Sequence, residues 1–151
     1  HYINFWFHFV YPHLSDLYVC TPDEFYMKYI APDIEEYMNR YFVQVCVEYM
    51  ELMNRVNKLP LDVTKIGTWI GKQGTVDIVA QDAVRNTLVG ACNWSKPAMT
   101  AEDLAKLAQT LKKARLAPKH IYLFTATEFA PELLALAKQD ARFIPVDMKE
   151  L

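Results

Sequence analysis

With 151 residues the chain is the size of one domain with a sizeable core, and little room remains for a second. Hydrophobic residues make up 52% and charged residues 23%, a globular balance that excludes a disordered tail. Sixteen basic and eighteen acidic side chains give a net charge of −2, which argues against a generally basic nucleic-acid binder but leaves room for a local patch.

The opening HYINFWFHFVYPH has no initiator Met, no basic leader and no small-residue cleavage site, so it does not read as a signal peptide. His8 and Pro12 interrupt it well short of membrane length, and no other apolar run approaches that length. A start inside an aromatic element is expected of a piece of a longer, soluble, cytoplasmic protein. Phe5, Trp6, Phe9 and Val10 have helical spacing, ended by Tyr11-Pro12. Thr21, Pro22 and Glu24 form an N-cap, first-turn proline and capping-box acid for a helix to about Ile30. Pro32 and Asp33 open a long helix to about Val56, with a stripe of Ile34, Tyr37, Met38, Tyr41, Val45, Tyr49 and Met53 expected in the core.

After NKLPLD the period changes. Residues 66–70, 76–81 and 87–94 read as strands, rich in β-branched side chains and broken by Gly71, Gly74 and Asn86. Thr100 with Asp103 caps a helix whose apolar face is Leu104, Leu107, Ala108 and Leu111, stopped by Pro118. HIYLF (120–124) is a buried strand, Pro131 starts a helix through Leu133, Leu134 and Leu136, and RFIPV (142–146) is an edge strand because Pro145 cannot donate to a central ladder. The order α-α-β-β-β-α-β-α-β predicts an α/β domain, a mixed sheet with helices on its faces.

Three cysteines, Cys20, Cys46 and Cys92, have no metal spacing and read as reduced thiols, two of them in apolar runs. His1, His8, His13 and His120 show no ligand spacing either. Trp69 and Trp94 read as core closure around the sheet. Asp77 is different: a carboxylate inside TVDIVA costs several kcal/mol unless something compensates it, on the order of 2–7 kcal/mol for a polar group without a partner. A hairpin centred on Val84 sets Asp82 opposite Asn86 and therefore Asp77 opposite Ala91, with Asn93 on the same sheet face.

The segments NFWFHFVYP (4–12), YFVQVCVEYM (41–50), KIGTWIG (65–71), VDIVA (76–80), LVGACNW (88–94) and YLFTATEF (122–129) resemble the C-terminal domain of archaeal-type and bacterial ATP-binding proteins, a domain catalogued as of unknown function. The spacing from Asp77 to positions 91 and 93 also resembles the Asp…Glu-x-Lys signature of the restriction-endonuclease-like, or PD-(D/E)XK, superfamily. The resemblance implies an α-β-β-β-α-β nuclease-like core with extra N-terminal helices over residues 21–151. It implies that residues 1–20 are an aromatic linker from a winged-helix segment, with an ATPase module further upstream as a partner in the same chain. Family members carry Glu-Cys-Lys-Trp where this chain has Ala91-Cys92-Asn93-Trp94, and a helix glutamate where it has Val43.

Two carboxylates and a lysine would bind Mg²⁺ and activate water; a methyl, an amide and an isopropyl group would not. Asp77 is left as the one weak candidate metal ligand, and no catalytic set is intact. Glu48 points roughly 140° away from Val43 on the long helix, and Lys72 and Lys96 sit in strand-end loops from which a flexible ammonium could reach a phosphate; each of the three reads more simply as a solvated surface charge. Lys112, Lys113, Arg115 and Lys119 gather at one helix end, where they complement the helix dipole and are candidate nucleic-acid contacts. The expectation is a catalytically degenerate nuclease-like domain acting in nucleic-acid binding or protein assembly, with DNA and a second copy as open partners, no membrane and no cofactor. Two alternatives stand beside it: an active endonuclease using Mg²⁺ through relocated ligands, and a structural dimerisation module.

Overall fold

The computed structural model describes residues 2–72 and 74–151; His1 and Gln73 lie outside the described residues. The chain divides into two compact units, His1–Met38 and Asn39–Leu151.

The first unit is a run of short helices. Helix α1 (Tyr2–Phe5) passes into a wide π turn at Trp6–Val10 and a tight 3₁₀ turn at Tyr11–His13, and α2 spans Leu14–Leu17. Helix α3 (Pro22–Phe25) begins with the expected capping box, in which Thr21 Oγ1 accepts the Glu24 N–H and Glu24 accepts the Thr21 N–H. A second π turn follows at Tyr26–Ile30. Phe9, Val10 and Phe25 form the core, so residues on either side of position 20 share it, with Tyr37 closing over Phe9 at a ring separation of 4.9 Å. His13 stacks on Tyr29 at 3.8 Å, and the Tyr29 hydroxyl and Lys28 ammonium both reach the Asp16 carboxylate.

Helix α4 (Ile34–Arg55) is as long as its spacing predicts, but the buried side chains in the second unit are Phe42, Cys46 and Met50. The buried line is thus one position off the expected Tyr41–Val45–Tyr49 stripe. Val45 is 39% exposed, and Tyr49 is partly buried beside Phe124. Tyrosine prefers a boundary where its hydroxyl stays wet, so small Cys46 and flexible Met50 take the interior.

The second unit is built on a five-stranded mixed sheet. Strand β1 (Val63–Gly71) pairs antiparallel with β2 (Gly74–Asp82), and β2 with β3 (Thr87–Asn93). Strand β1 starts earlier than its sequence suggests because Asn54 of α4 bonds both the N–H and the carbonyl of Val63, each at 2.9 Å. Beyond β3 lie a two-residue strand β4 (Ala98–Met99), α5 (Ala101–Ala114), β5 (His120–Thr125), a two-residue strand β6 (Glu128–Phe129), α6 (Pro131–Gln139) and β7 (Phe143–Asp147). The order across the sheet is β1-β2-β3-β5-β7, the last three parallel, and β4 and β6 form a small parallel pair of their own. Strand β7 is an edge, as Pro145 requires.

One sheet face carries Ile78, Leu88, Tyr122 and Phe124 against α4. The other carries Val89, Leu123 and Ile121 against Leu104 and Leu111 of α5 and Leu133 of α6. Each fully buried side chain of this size contributes about 1.5–3 kcal/mol. Ala108, Leu134 and Leu136, expected inside, are exposed, so the buried stripes of α5 and α6 are narrower than their apolar residues suggest. Trp94 packs on the α4 side near Phe42 and Trp69 on the α5 side near Val76 and Leu111.

Candidate functional site

The expected hairpin register holds from Gln81–Thr87 to Ile78–Gly90, and there the β2–β3 ladder stops. Beyond it Val76, Thr75 and Gly74 stay on β1, while Ala91, Cys92 and Asn93 stay on β5. The sheet forks at Asp77. A bulge helps to open the fork: between the pairs Gly67–Val79 and Trp69–Val76, Asp77 and Ile78 together oppose the single residue Thr68. The Thr68 hydroxyl donates to the Asp77 carbonyl at 2.9 Å.

In the fork the Asp77 carboxylate replaces the missing ladder partner, accepting the Cys92 N–H at Oδ2 (2.8 Å). Burial pushes the Asp77 carboxyl above its usual range, and the Cys92 bond offsets only part of that. The Cys46 thiol of α4 beside it, burial and the nearby Asp77 carboxylate all hold the Cys92 thiol protonated.

Ala91 and Asn93 open on the opposite side, into a cleft of about 230 Å³ shared with Thr75, Lys96, Asp103 and Lys106. Asp77 does not line this cleft; its carboxylate meets β3 at the Cys92 amide, between the two. Val43 packs against the α4-side core, the side to which Cys92 belongs. Asn93 is nearly buried and fully engaged. Its Nδ2 donates to Thr125 (3.0 Å), Thr127 (3.2 Å) and the Lys96 carbonyl (3.3 Å), and its Oδ1 accepts the Lys96 N–H (3.2 Å). The side chain at position 93 therefore ties the loop after β3 to the end of β5. Lys96 is ion-paired with Asp103, which also caps α5 through Thr100, and Lys106 with Glu102 at 2.8 Å. Glu48 is bonded to Gln44 on the exposed side of α4, and Lys72 is exposed.

These groups do not fit Mg²⁺, which wants several hard oxygen ligands. The site offers one carboxylate already committed to an amide, a methyl group, and an amide whose oxygen is taken. Among the described residues no group of three or more His, Cys, Asp and Glu converges. No helix among them is long and apolar enough to cross a membrane. Lys112, Lys113, Arg115 and Lys119 lie together and exposed at the far end of α5, away from the fork. The Asn93–Thr125–Thr127 cluster escaped the sequence reading. The polar tail of YLFTATEF was the available signal, and only the parallel β3–β5 register turns it into a contact.

The chain is 27% identical over 117 residues to an uncharacterized protein of Methanocaldococcus jannaschii, a match covering 76% of this chain and 26% of the relative. It thus spans about a quarter of that relative's length. A crystal structure described as a protein of unknown function, AF1548, superposes with a TM-score of 0.45 at 13% identity, covering 75% of this chain and 60% of that one. Residues 6–108 match the family DUF234, archaeal and bacterial proteins of unknown function, and the chain belongs to that family.

Proposed function

We propose that the second unit is a restriction-endonuclease-like domain that has lost its chemistry and serves nucleic-acid binding or assembly in a larger, ATP-binding protein. The observation that carries the reading is the fork. The order α4-β1-β2-β3-α5-β5 agrees with the order that the resemblance implies for a nuclease-like core, and the sheet opens at Asp77, beside the two β3 positions where the superfamily signature has its glutamate and lysine. There this chain has an alanine and an asparagine, and the asparagine has become a structural bracket. The ATPase and winged-helix partners rest on the sequence resemblance.

Incubation of the purified chain with duplex and branched DNA and millimolar Mg²⁺ or Mn²⁺ tests the loss of chemistry. The expected result is no cleavage. Metal-dependent cutting that disappears in Asp77→Ala would overturn the reading and restore an active endonuclease.

A further inference from the structure

We propose that the end of the sheet opposite the fork is a docking surface for the phosphate backbone of nucleic acid, and that the fork end repels it. The proposal rests on the binding function above and gives it a place. Strands β3, β5 and β7 run in one direction, so the β2–β3 turn, the end of α5 and the end of α6 meet at their N-terminal ends. The Lys119 N–H donates to the Thr87 carbonyl (2.8 Å) and the Ile121 N–H to the Arg142 carbonyl (2.7 Å), which brings these turns together.

This end carries Arg85, Lys112, Lys113, Arg115, Lys119 and Lys138, all exposed and none in an ion pair among the described residues. Of the acids at this end, Asp62 is exposed just before β1 and Glu51 is paired with Arg55, while Asp82 and Asp140 are already engaged. Asp82 accepts the Val84 and Asn86 N–H groups and the Asn86 side chain, and Asp140 is paired with Arg142. The fork end has the opposite character. Glu102, Asp103, Glu128, Glu132, Asp147 and Glu150 lie there against four lysines, Lys72, Lys96, Lys106 and Lys149, of which Lys96 and Lys106 are paired with Asp103 and Glu102. The net charge of −2 conceals this separation, because one basic and six acidic residues fall in His1–Met38, leaving fifteen basic against twelve acidic in the second unit.

Backbone conformation is a second, independent sign. Arg85 (φ 66°) and Arg115 (φ 56°) both sit in the left-handed region, at a turn and a helix end where glycine or asparagine is the usual solution. Keeping a long cation where a smaller residue would be less strained is expected when the cation is used. Arginine's planar fork suits phosphate oxygens. The cations stand on helix ends and turns, not along an amphipathic helix that could lie in a bilayer, which favours a nucleic-acid backbone over lipid headgroups.

The test is fluorescence anisotropy of a short labelled duplex with the chain across a salt series, for the parent, Arg85→Gly/Arg115→Gly and, as a fork-end control, Lys149→Gln. The parent should bind with affinity falling steeply in salt. The double variant should keep or raise its melting temperature while losing roughly 10-fold in affinity, with a salt slope shallower by about 2. The control should bind like the parent. A parent that does not bind, a double variant that binds as the parent does, or an equal loss in the control would overturn the proposal. So would preferential binding to phosphatidylserine vesicles, which would give the surface to a membrane. Metal-dependent cleavage of the same duplex, abolished by Asp77→Ala, would instead overturn the loss of chemistry and leave the location of the surface to be read from the variants.

Discussion

The two ends of the five-stranded sheet use polar side chains in opposite ways. At the fork, Asp77, Asn93, Thr125 and Asp103 spend their hydrogen bonds inside the molecule, on strand backbone, loop backbone and a helix cap. At the other end, Arg85, Lys112, Lys113, Arg115 and Lys119 are exposed, and two of them hold unfavourable backbone conformations. Polar groups committed internally fix a structure, whereas polar groups left to solvent are available to a partner. Substitutions at the fork should therefore cost stability, and substitutions at the basic end should change it little or improve it.

Asn93→Ala should show the largest effect. It leaves the Lys96 N–H without its acceptor and removes a donor from the fully buried Thr125 hydroxyl. A loss of about 2–3 kcal/mol is expected from urea unfolding, against less than about 0.5 kcal/mol for Lys112→Gln or Lys119→Gln. Equal effects at the two ends would break the comparison.

Thr100→Ala comes next. Thr100 and Asp103 exchange capping bonds at the start of α5, the fork end of that helix. Their loss should cost about 1 kcal/mol by the same measurement.

Asp77 sharpens the comparison through pH. Burial raises its carboxyl above the ordinary value of 3.8, so between 3.8 and the folded value the native state holds a proton that the unfolded chain has released. Stability contributed by this group is complete below 3.8 and declines as pH rises through the folded value. Asp77→Asn keeps an acceptor for the Cys92 N–H without the charge, and should be more stable than the parent at neutral pH by on the order of 1 kcal/mol. The advantage should vanish below pH 3.8. A variant less stable at every pH would mean that the negative charge itself is held favourably in the fork.

Much of this architecture was legible in the chain. Both capping boxes, the long helix, the hairpin register and the proline edge follow from short-range chemistry, which a sequence carries openly. The line Phe42–Cys46–Met50 was not legible, because tyrosines flanking it compete in any apolar count and only the sheet decides which face wins. The early start of β1 depends on Asn54, and the role of Asn93 on Thr125; both are contacts between segments far apart in sequence. The four positions read as a vestigial site are correspondingly spread. Ala91 and Asn93 line the cleft, Asp77 holds the Cys92 amide, and Val43 packs with the α4-side core. The bulge opposite Thr68, invisible in the pattern, directs that arrangement.

The smallest effect separates strain from charge at the basic end. Arg115 closes α5 in the left-handed conformation, and its N–H reaches the carbonyls of Leu111 and Lys112. For a residue with a Cβ this conformation costs roughly 1–2 kcal/mol. Glycine removes that cost but adds freedom to the unfolded chain worth about 0.4–1 kcal/mol in the opposite direction. Arg115→Gly should therefore be more stable than the parent by only about 0.5–1 kcal/mol. Arg115→Ala removes the same cation while retaining the Cβ, so it should sit near the parent. The difference between the two variants isolates the backbone. If alanine stabilises as much as glycine, the gain comes from relieving repulsion with Lys112 and Lys113, and the left-handed backbone is no longer evidence that the arginine is retained for a partner.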